Sequence, residues 1–268
     1  MNFSCFDSTR LLTCLFDSMF FWHNESLNIW THVFGAILFT FLLIELFLLP
    51  GVVVFHYHLS AQDAVVLAIY LFSAIVCMVL SSIFHLFSSS DDETYERVSK
   101  ADQNGILALM LGSNFPMIYY GFYTSLPLQT FYAAGSLLII LFARSRIVKI
   151  ERRLTSAPQN RRLVFFLLVC GFGWLQLLHD LANRGGLQSA ACLKAASLWI
   201  KSFCVYGLGL FFYCSKVPER IFPGRFATVG TSHQLWHVFV VFGAFVHLQS
   251  CIEYGILAGA IVDQTSRA

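Results

Sequence analysis

The sequence predicts an all-α membrane protein, a seven-transmembrane helix bundle with a cytoplasmic N-terminus and an extracytoplasmic C-terminus. Composition is the first reason, since 57% of the 268 residues are hydrophobic and only 12% are charged. A typical soluble domain carries about twice that charged fraction. The other two reasons are the spacing of the apolar runs and the distribution of Lys and Arg. The net charge of +2 indicates no nucleic-acid surface.

Seven apolar runs are long enough to cross a bilayer, which takes roughly 20 residues. They cover approximately residues 28–49, 63–87, 102–122, 126–146, 162–181, 195–215 and 230–252. The breaks between them contain Pro, Gly or charged residues. We interpret DDETYER as a solvated loop and KVPERIFPGRF as a stiff turn before the last run. No break is long enough to hold a second domain.

Apolar residues also recur at helical spacing before the first run, at Leu12, Leu15, Phe16, Met19 and Trp22. This pattern predicts a short interfacial amphipathic helix instead of a cleavable signal peptide. The expected organisation is a cytoplasmic or interfacial segment (1–27), a seven-span membrane domain (28–252) and an extracytoplasmic tail (253–268). Eight cysteines are scattered without a Cys-x-x-Cys pair, so neither a disulfide scaffold nor a zinc ribbon is indicated.

Lys and Arg set the predicted orientation, because the cytoplasmic loops of membrane proteins are enriched in them. We place the N-terminus and the loops after the second, fourth and sixth runs on one side. That side then holds most of the 17 Lys and Arg residues, whereas the opposite side holds Arg184, Lys194 and Arg267. The chain is therefore expected to begin in the cytoplasm and to end outside it.

Four ionisable residues fall at one predicted depth. His85 lies near the cytoplasmic end of the second run, Asp102 opens the third, and His233 and His237 lie in the first two turns of the seventh. All are about one to two turns deep, where polar side chains are costly and are therefore functional candidates. Their four-residue spacing places His233 and His237 on one helix face.

Three histidines plus an open water position form a common catalytic zinc arrangement, so these residues predict a Zn²⁺ site. Imidazole also suits Cu, Ni and Fe, but redox-silent tetrahedral zinc is the simplest choice. Asp102 is either a fourth ligand or the group that holds the metal-bound water. Ser81, one turn before His85, shares its helix face and is placed to support that water.

The competing interpretation is that a histidine in an apolar helix is only hydrogen-bonded to a neighbour. We expect this of three others, His32, His179 and His247. Three glycines of the third run fit close helix packing better than a ligand role. They are Gly105, Gly112 and Gly121.

Five short blocks of the chain occur in a known order. They are NESLNIWTH (24–32), SSIFH (81–85), KADQNGI (100–106), KVPERIFPGRF (216–226) and SHQLWH (232–237). Together they resemble the progestin and adipoQ receptor family, in its adiponectin-receptor-like branch, which is related to haemolysin III proteins. The resemblance covers about residues 24 to 250. The KADQNGI block departs from the family at Gln103 and Asn104, a change expected to alter the polarity around the site.

The resemblance implies a seven-span bundle with a cytoplasmic N-terminus and a zinc site near the cytoplasmic face. Carried over residue by residue, it implies that the zinc ligands are His85, His233 and His237. Asp102 would bind the zinc-held water, and Ser81 would contribute near it. The family is similar in site layout to alkaline ceramidases, and its receptor members are thought to hydrolyse ceramide amides.

We therefore expect a membrane protein that hydrolyses a lipid amide such as ceramide and acts in lipid-metabolic signalling, in the plasma membrane or the Golgi or ER membrane. Its expected partners are the bilayer, a ceramide-like or fatty-acyl lipid, and an extracellular protein ligand or a cytoplasmic signalling partner. The alternative is a non-enzymatic receptor or scaffold in which zinc is structural. A proton-coupled transporter is disfavoured, because the polar groups cluster at one end instead of crossing the bilayer.

Overall fold

The computed structural model describes residues 19, 21–49, 57–153, 159–185, 190–226 and 228–263. Within these residues the chain forms seven long helices. They are α1 (Ser26–Leu48), α2 (Ala61–Leu86), α3 (Asp92–Gly121), α4 (Leu126–Arg153), α5 (Gln159–Asn183), α6 (Ala190–Ser215) and α7 (Ser232–Leu257). The interfacial helix expected between Leu12 and Trp22 falls largely outside the described residues.

Six of the seven helices are long and apolar enough to cross a membrane; among the described residues α3 is the exception. The protein is therefore a helical multi-pass membrane protein, as the apolar runs predict. Large apolar side chains cover its outer faces, as a bundle surrounded by lipid requires. Examples that are more than half exposed are Phe34, Phe72, Leu138, Leu178 and Phe211.

The third helix corrects one sequence prediction. The segment DDETYER, expected to be a solvated loop, forms the first turns of α3, which therefore begins ten residues before the predicted span. The Asp91 side chain accepts a hydrogen bond from the Thr94 N–H and caps the helix. Pairs at i,i+4 spacing, such as Arg97 with Glu93, stabilise these turns. Hydropathy alone does not detect a helix whose first turns are charged.

Packing places α7 at the centre of the bundle, against α1, α3 and α6, while α2 packs along α1 and α3. The main core lies among these helices and includes Leu42, Leu71, Met78, Ala244 and Leu248, all fully buried. Residues Tyr57–His58 (β1) pair antiparallel with Val262–Asp263 (β2), a small exception to the all-α prediction. This pairing ties the start of α2 to the end of α7, so it lies at the end of the bundle opposite to His85 and His233.

Close helix packing explains the glycines of α3, as predicted. A Cβ at Gly105 would lie 3.1 Å from the Cys77 Cα of α2, and one at Gly112 would lie 2.0 Å from the Ser73 Oγ. Neither position has room for a larger residue while α2 and α3 keep their spacing. That spacing matters for the site, because α2 carries His85 and α3 carries Asp102.

Candidate metal centre

The three histidines predicted as ligands meet at one end of the bundle. His85 lies in the last turn of α2, and His233 and His237 lie in the first two turns of α7. The start of α7 is held by Thr231, whose hydroxyl accepts from the Gln234 N–H, while the Gln234 side chain binds back to the Thr231 N–H. This capping box fixes where the α7 histidines begin.

The donor atoms of the three rings are mutually close. One nitrogen from each of His85, His233 and His237 lies within 4.8 Å of the other two. The Nε2 atoms of His85 and His233 are 3.3 Å apart, and His85 and His237 are buried. Two ligands of a tetrahedral zinc with bonds of about 2.0–2.1 Å lie roughly 3.3 Å apart. The cluster therefore fits a metal ion, and the three imidazoles could hold one.

Hydrogen bonds orient two of the rings. The Nδ1 of His85 lies 2.7 Å from the Glu25 Oε2, and the Nδ1 of His237 lies 3.1 Å from the backbone oxygen of Asn28. A ring that donates through Nδ1 keeps the Nε2 lone pair for a metal. The Nε2 atoms of both rings are therefore free to bind a metal, and that of His85 faces His233.

Glu25 is the acidic partner of the cluster and lies just before α1. Burial raises the pKa of Glu25, but hydrogen bonds from His85 and Asn28 outweigh burial and hold the pKa below its ordinary value. The carboxylate is therefore charged near neutral pH. The Asn28 amide, which donates to the same oxygen at 2.7 Å, limits its movement.

Asp102 of α3 lies at the same end of the bundle as the histidines. Its carboxylate interacts electrostatically with His85 and with the Ser81 side chain of α2. Among the described residues, the group of mutually close donor atoms contains the three histidines without Asp102. The structure thus brings all five predicted site residues to one end of the bundle and separates Asp102 from the possible ligands.

A cavity of about 330 Å³ opens beside the histidines at this end of the bundle. Its lining mixes polar and aromatic side chains and comprises Asn24, Glu25, Asn28, Phe84, His85, Ser88, Tyr95, Thr231 and His233. The cavity gives water and small polar groups a route to the His85 and His233 rings from the end of the bundle.

The three histidines that were expected only to be hydrogen-bonded to a neighbour divide into two groups. His179 and His247 follow the simpler expectation, because the first pairs with the Tyr132 hydroxyl and the second with the Ser113 carbonyl. His32 instead stacks on His237, with ring centroids 3.8 Å apart. The His32 ring of α1 therefore packs against the side of the cluster that faces α1.

The two unusual residues after Asp102 have different surroundings. The Asn104 side-chain oxygen accepts from Arg144 of α4 at 3.0 Å, so Asn104 connects α3 to α4. Gln103 is buried, and its amide lies 3.4 Å from the Ser99 hydroxyl. Both side chains therefore form hydrogen bonds with residues other than the three histidines.

Comparison of the amino-acid sequence with known proteins assigns the chain to a family. A family profile described as "Haemolysin-III related" matches residues 20–248. Progestin and adipoQ receptor family member 3 of Mus musculus is 35% identical over 84% of this chain and 71% of its own length. The chain belongs to this haemolysin-III and adipoQ-receptor family. Heptahelical transmembrane protein 1 of Arabidopsis thaliana is 32% identical over 89% of this chain and 72% of its own length.

A third relative of the family is the adiponectin receptor protein of Drosophila melanogaster, which is 32% identical over 89% of this chain. The chain spans about half the length of that protein, 52%. The region shared with the family contains every residue of the cluster, from Glu25 to His237.

Sequence reasoning missed the contribution of α1. Glu25, Asn28 and His32 each touch one of the predicted ligands, yet none was expected to belong to the site. Their spacing of three and four residues places them on one helix face. A polar stripe at the start of an otherwise apolar helix is the signal that could have revealed them.

Proposed function

We propose that this protein is a zinc-dependent membrane hydrolase of lipid amides such as ceramide, acting in lipid-metabolic signalling. One observation carries the proposal: three histidine donors lie close enough to share a metal, and Asp102 lies beside them without belonging to the ligand group. A purely structural zinc normally has four protein ligands, whereas catalytic sites keep a position for water or substrate.

Zinc is the metal best suited to this donor set. Three imidazoles are typical zinc ligands, and among the described residues the group of close donor atoms contains no cysteine thiolate that would select copper. When bound, zinc acts as a Lewis acid and makes water nucleophilic near neutral pH.

The residues of this chain supply the remaining steps. His85, His233 and His237 hold the metal through nitrogen. Asp102 orients the attacking water and accepts its proton, and the proton then passes to the leaving amine. The Ser81 side chain of α2, which interacts with the Asp102 carboxylate, would support that carboxylate beside the cluster.

A long-chain amide suits both the depth and the surroundings of the site. The cluster lies in the last turn of α2 and the first two turns of α7, among helices whose outer faces are apolar. Acyl chains remain in the bilayer or between helices while the amide reaches the histidines. The polar part of the substrate then occupies the cavity lined by Asn24, Asn28 and Ser88.

The orientation and the location are part of the same proposal. We infer seven spans with α3 as the third, a cytoplasmic N-terminus and an extracytoplasmic C-terminus, in the plasma membrane or the Golgi or ER membrane. The excess of Lys and Arg in the loops on the side of the site supports this orientation. A labelling experiment with cysteines introduced at Ser88 and Ser60 would test it, since Ser88 should react only from the cytoplasmic side.

The test is zinc content and ceramide hydrolysis of the purified protein. Asp102→Asn should keep the fold and the zinc but lose hydrolysis, because an amide cannot accept the proton. His85→Ala should lose both. The proposal fails if the wild type binds no zinc, or if His85→Ala retains both metal and turnover.

The second candidate is a non-enzymatic receptor or scaffold in which zinc joins α2 to α7. Relatives whose names describe them as receptors favour it. An extracellular protein ligand or a cytoplasmic signalling partner would then act through the bundle. Asp102→Asn separates the two candidates: a protein that binds zinc but shows no hydrolysis in wild type or variant supports the scaffold.

A further inference from the structure

The start of α1 touches two of the three histidines. Glu25 receives the Nδ1–H of His85, and the Asn28 carbonyl receives the Nδ1–H of His237. Both residues belong to the block NESLNIWTH, which the proposed reaction uses only as part of the cavity lining.

A metal-binding imidazole is sensitive to the acceptor on its other nitrogen. A carboxylate there fixes the tautomer and the ring orientation and makes the metal-binding nitrogen more basic. The contact between Glu25 and His85 has this geometry, at 2.7 Å. The Asn28 amide holds the same carboxylate oxygen at 2.7 Å.

The ordinary role for an acidic residue at this place would be helix capping. Glu25 is the N-cap residue of α1, but its side chain makes no capping hydrogen bond to the helix backbone. The carboxylate turns to α2 instead and is 26% exposed, at the edge of the cavity. Capping therefore does not account for its position.

We propose that Glu25 is a positioning residue of the metal centre, which orients His85 and strengthens its nitrogen as a ligand, with Asn28 holding the carboxylate in place. The inference rests on the metal-binding part of the proposed function and is independent of hydrolysis. It gives the NESLN segment a defined role, because the first turn of α1 then sets the rings of ligands that α2 and α7 carry.

The experiment measures zinc affinity by competition with a chelator, using the full chain purified in detergent. Glu25→Ala should bind zinc about 10–100-fold more weakly than the wild type. Glu25→Gln should fall between them, because its amide oxygen still accepts from His85 but carries no charge. The absorption spectrum of the cobalt-substituted protein should shift in Glu25→Ala, since the His85 ring is no longer held.

Glu93→Gln is the matched control, since it removes the same charge from the same end of the bundle. Glu93 pairs with Arg97 on an exposed face of α3, and its side chain is 73% exposed. Its zinc affinity should equal that of the wild type.

Melting of the metal-free proteins separates positioning from folding. Metal-free Glu25→Gln should melt at the temperature of the metal-free wild type. If this variant instead loses as much free energy of unfolding as it loses free energy of zinc binding, the inference is overturned. Wild-type zinc affinity in Glu25→Ala would also overturn it while leaving the proposed function intact. If Glu25→Ala does not fold, Glu25→Gln decides alone. Absence of zinc binding in the wild type would refute the metal centre itself.

Discussion

Gly112→Ala tests the spacing of α2 and α3 that places Asp102 beside His85. An added Cβ at Gly112 would lie 2.5 Å from the Ser73 Cβ and 2.0 Å from its Oγ. Carbon atoms in contact are normally about 3.5–4.0 Å apart, so the two helices must separate by about 1 Å. Rotation of the Ser73 hydroxyl does not relieve the clash, because the Cβ atoms remain too close.

Overpacking of this size costs about 1–3 kcal/mol. For a chain of this length we expect a melting temperature roughly 2–12 °C lower, measured on the purified protein in detergent. Zinc content should not change, because the three histidines lie on α2 and α7. Hydrolysis should fall, because Asp102 on α3 moves away from Ser81 and His85.

The control is Gly171→Ala, since a Cβ at Gly171 would meet nothing within 4 Å. This variant should melt at or above the wild-type temperature, because alanine favours a helix more than glycine does. Adding Ser73→Gly to Gly112→Ala should recover part of the loss, as expected for two residues in contact. Wild-type melting of Gly112→Ala, or strict additivity in the double variant, would refute the packing argument.

Three further substitutions test contacts that hold α7. Burial raises the pKa of Glu219, but hydrogen bonds from Ser232 outweigh it and lower the pKa below its ordinary value. Glu219 therefore stabilises the fold at pH values above the ordinary glutamate pKa. This contribution is lost as the pH falls through the lowered pKa of Glu219. Glu219→Gln should remove that part of the pH dependence of the melting temperature. Tyr254→Phe leaves the buried Asp180 without the tyrosine hydroxyl and should cost about 1–3 kcal/mol in unfolding free energy. Thr231→Ala, which opens the capping box, should cost about 0.5–2 kcal/mol in the same melting assay.

The sequence predicted most of the site because depth in a membrane can be counted along a helix. His85, His233 and His237 needed only their positions within apolar runs and the order of the loops to be placed at one end. Asp102 lies within α3, which begins earlier than expected and continues through this residue without a break.

The contacts of α1 could not be predicted in the same way. The polar stripe at the start of α1 marks one face of the helix, but it does not reveal which neighbouring helix that face meets. The pairing of Glu25 with His85 depends on that rotation, and on side chains 60 residues apart. The two-residue strands β1 and β2 were missed because so short a pairing has no periodic signal.

The geometry of the rings also distinguishes a metal site from a set of buried histidines that are only hydrogen-bonded to their neighbours. Histidines that are only hydrogen-bonded pair with a neighbouring polar group, as His179 does with Tyr132 and His247 with the Ser113 carbonyl. The Nδ1 atoms of His85 and His237 already donate, so their Nε2 atoms carry lone pairs. The His85 lone pair faces the Nε2 of His233 at 3.3 Å. A proton on His233 can satisfy one such lone pair at most, whereas a single cation could bind all three rings, and this difference favours the proposed metal centre over a set of hydrogen bonds alone.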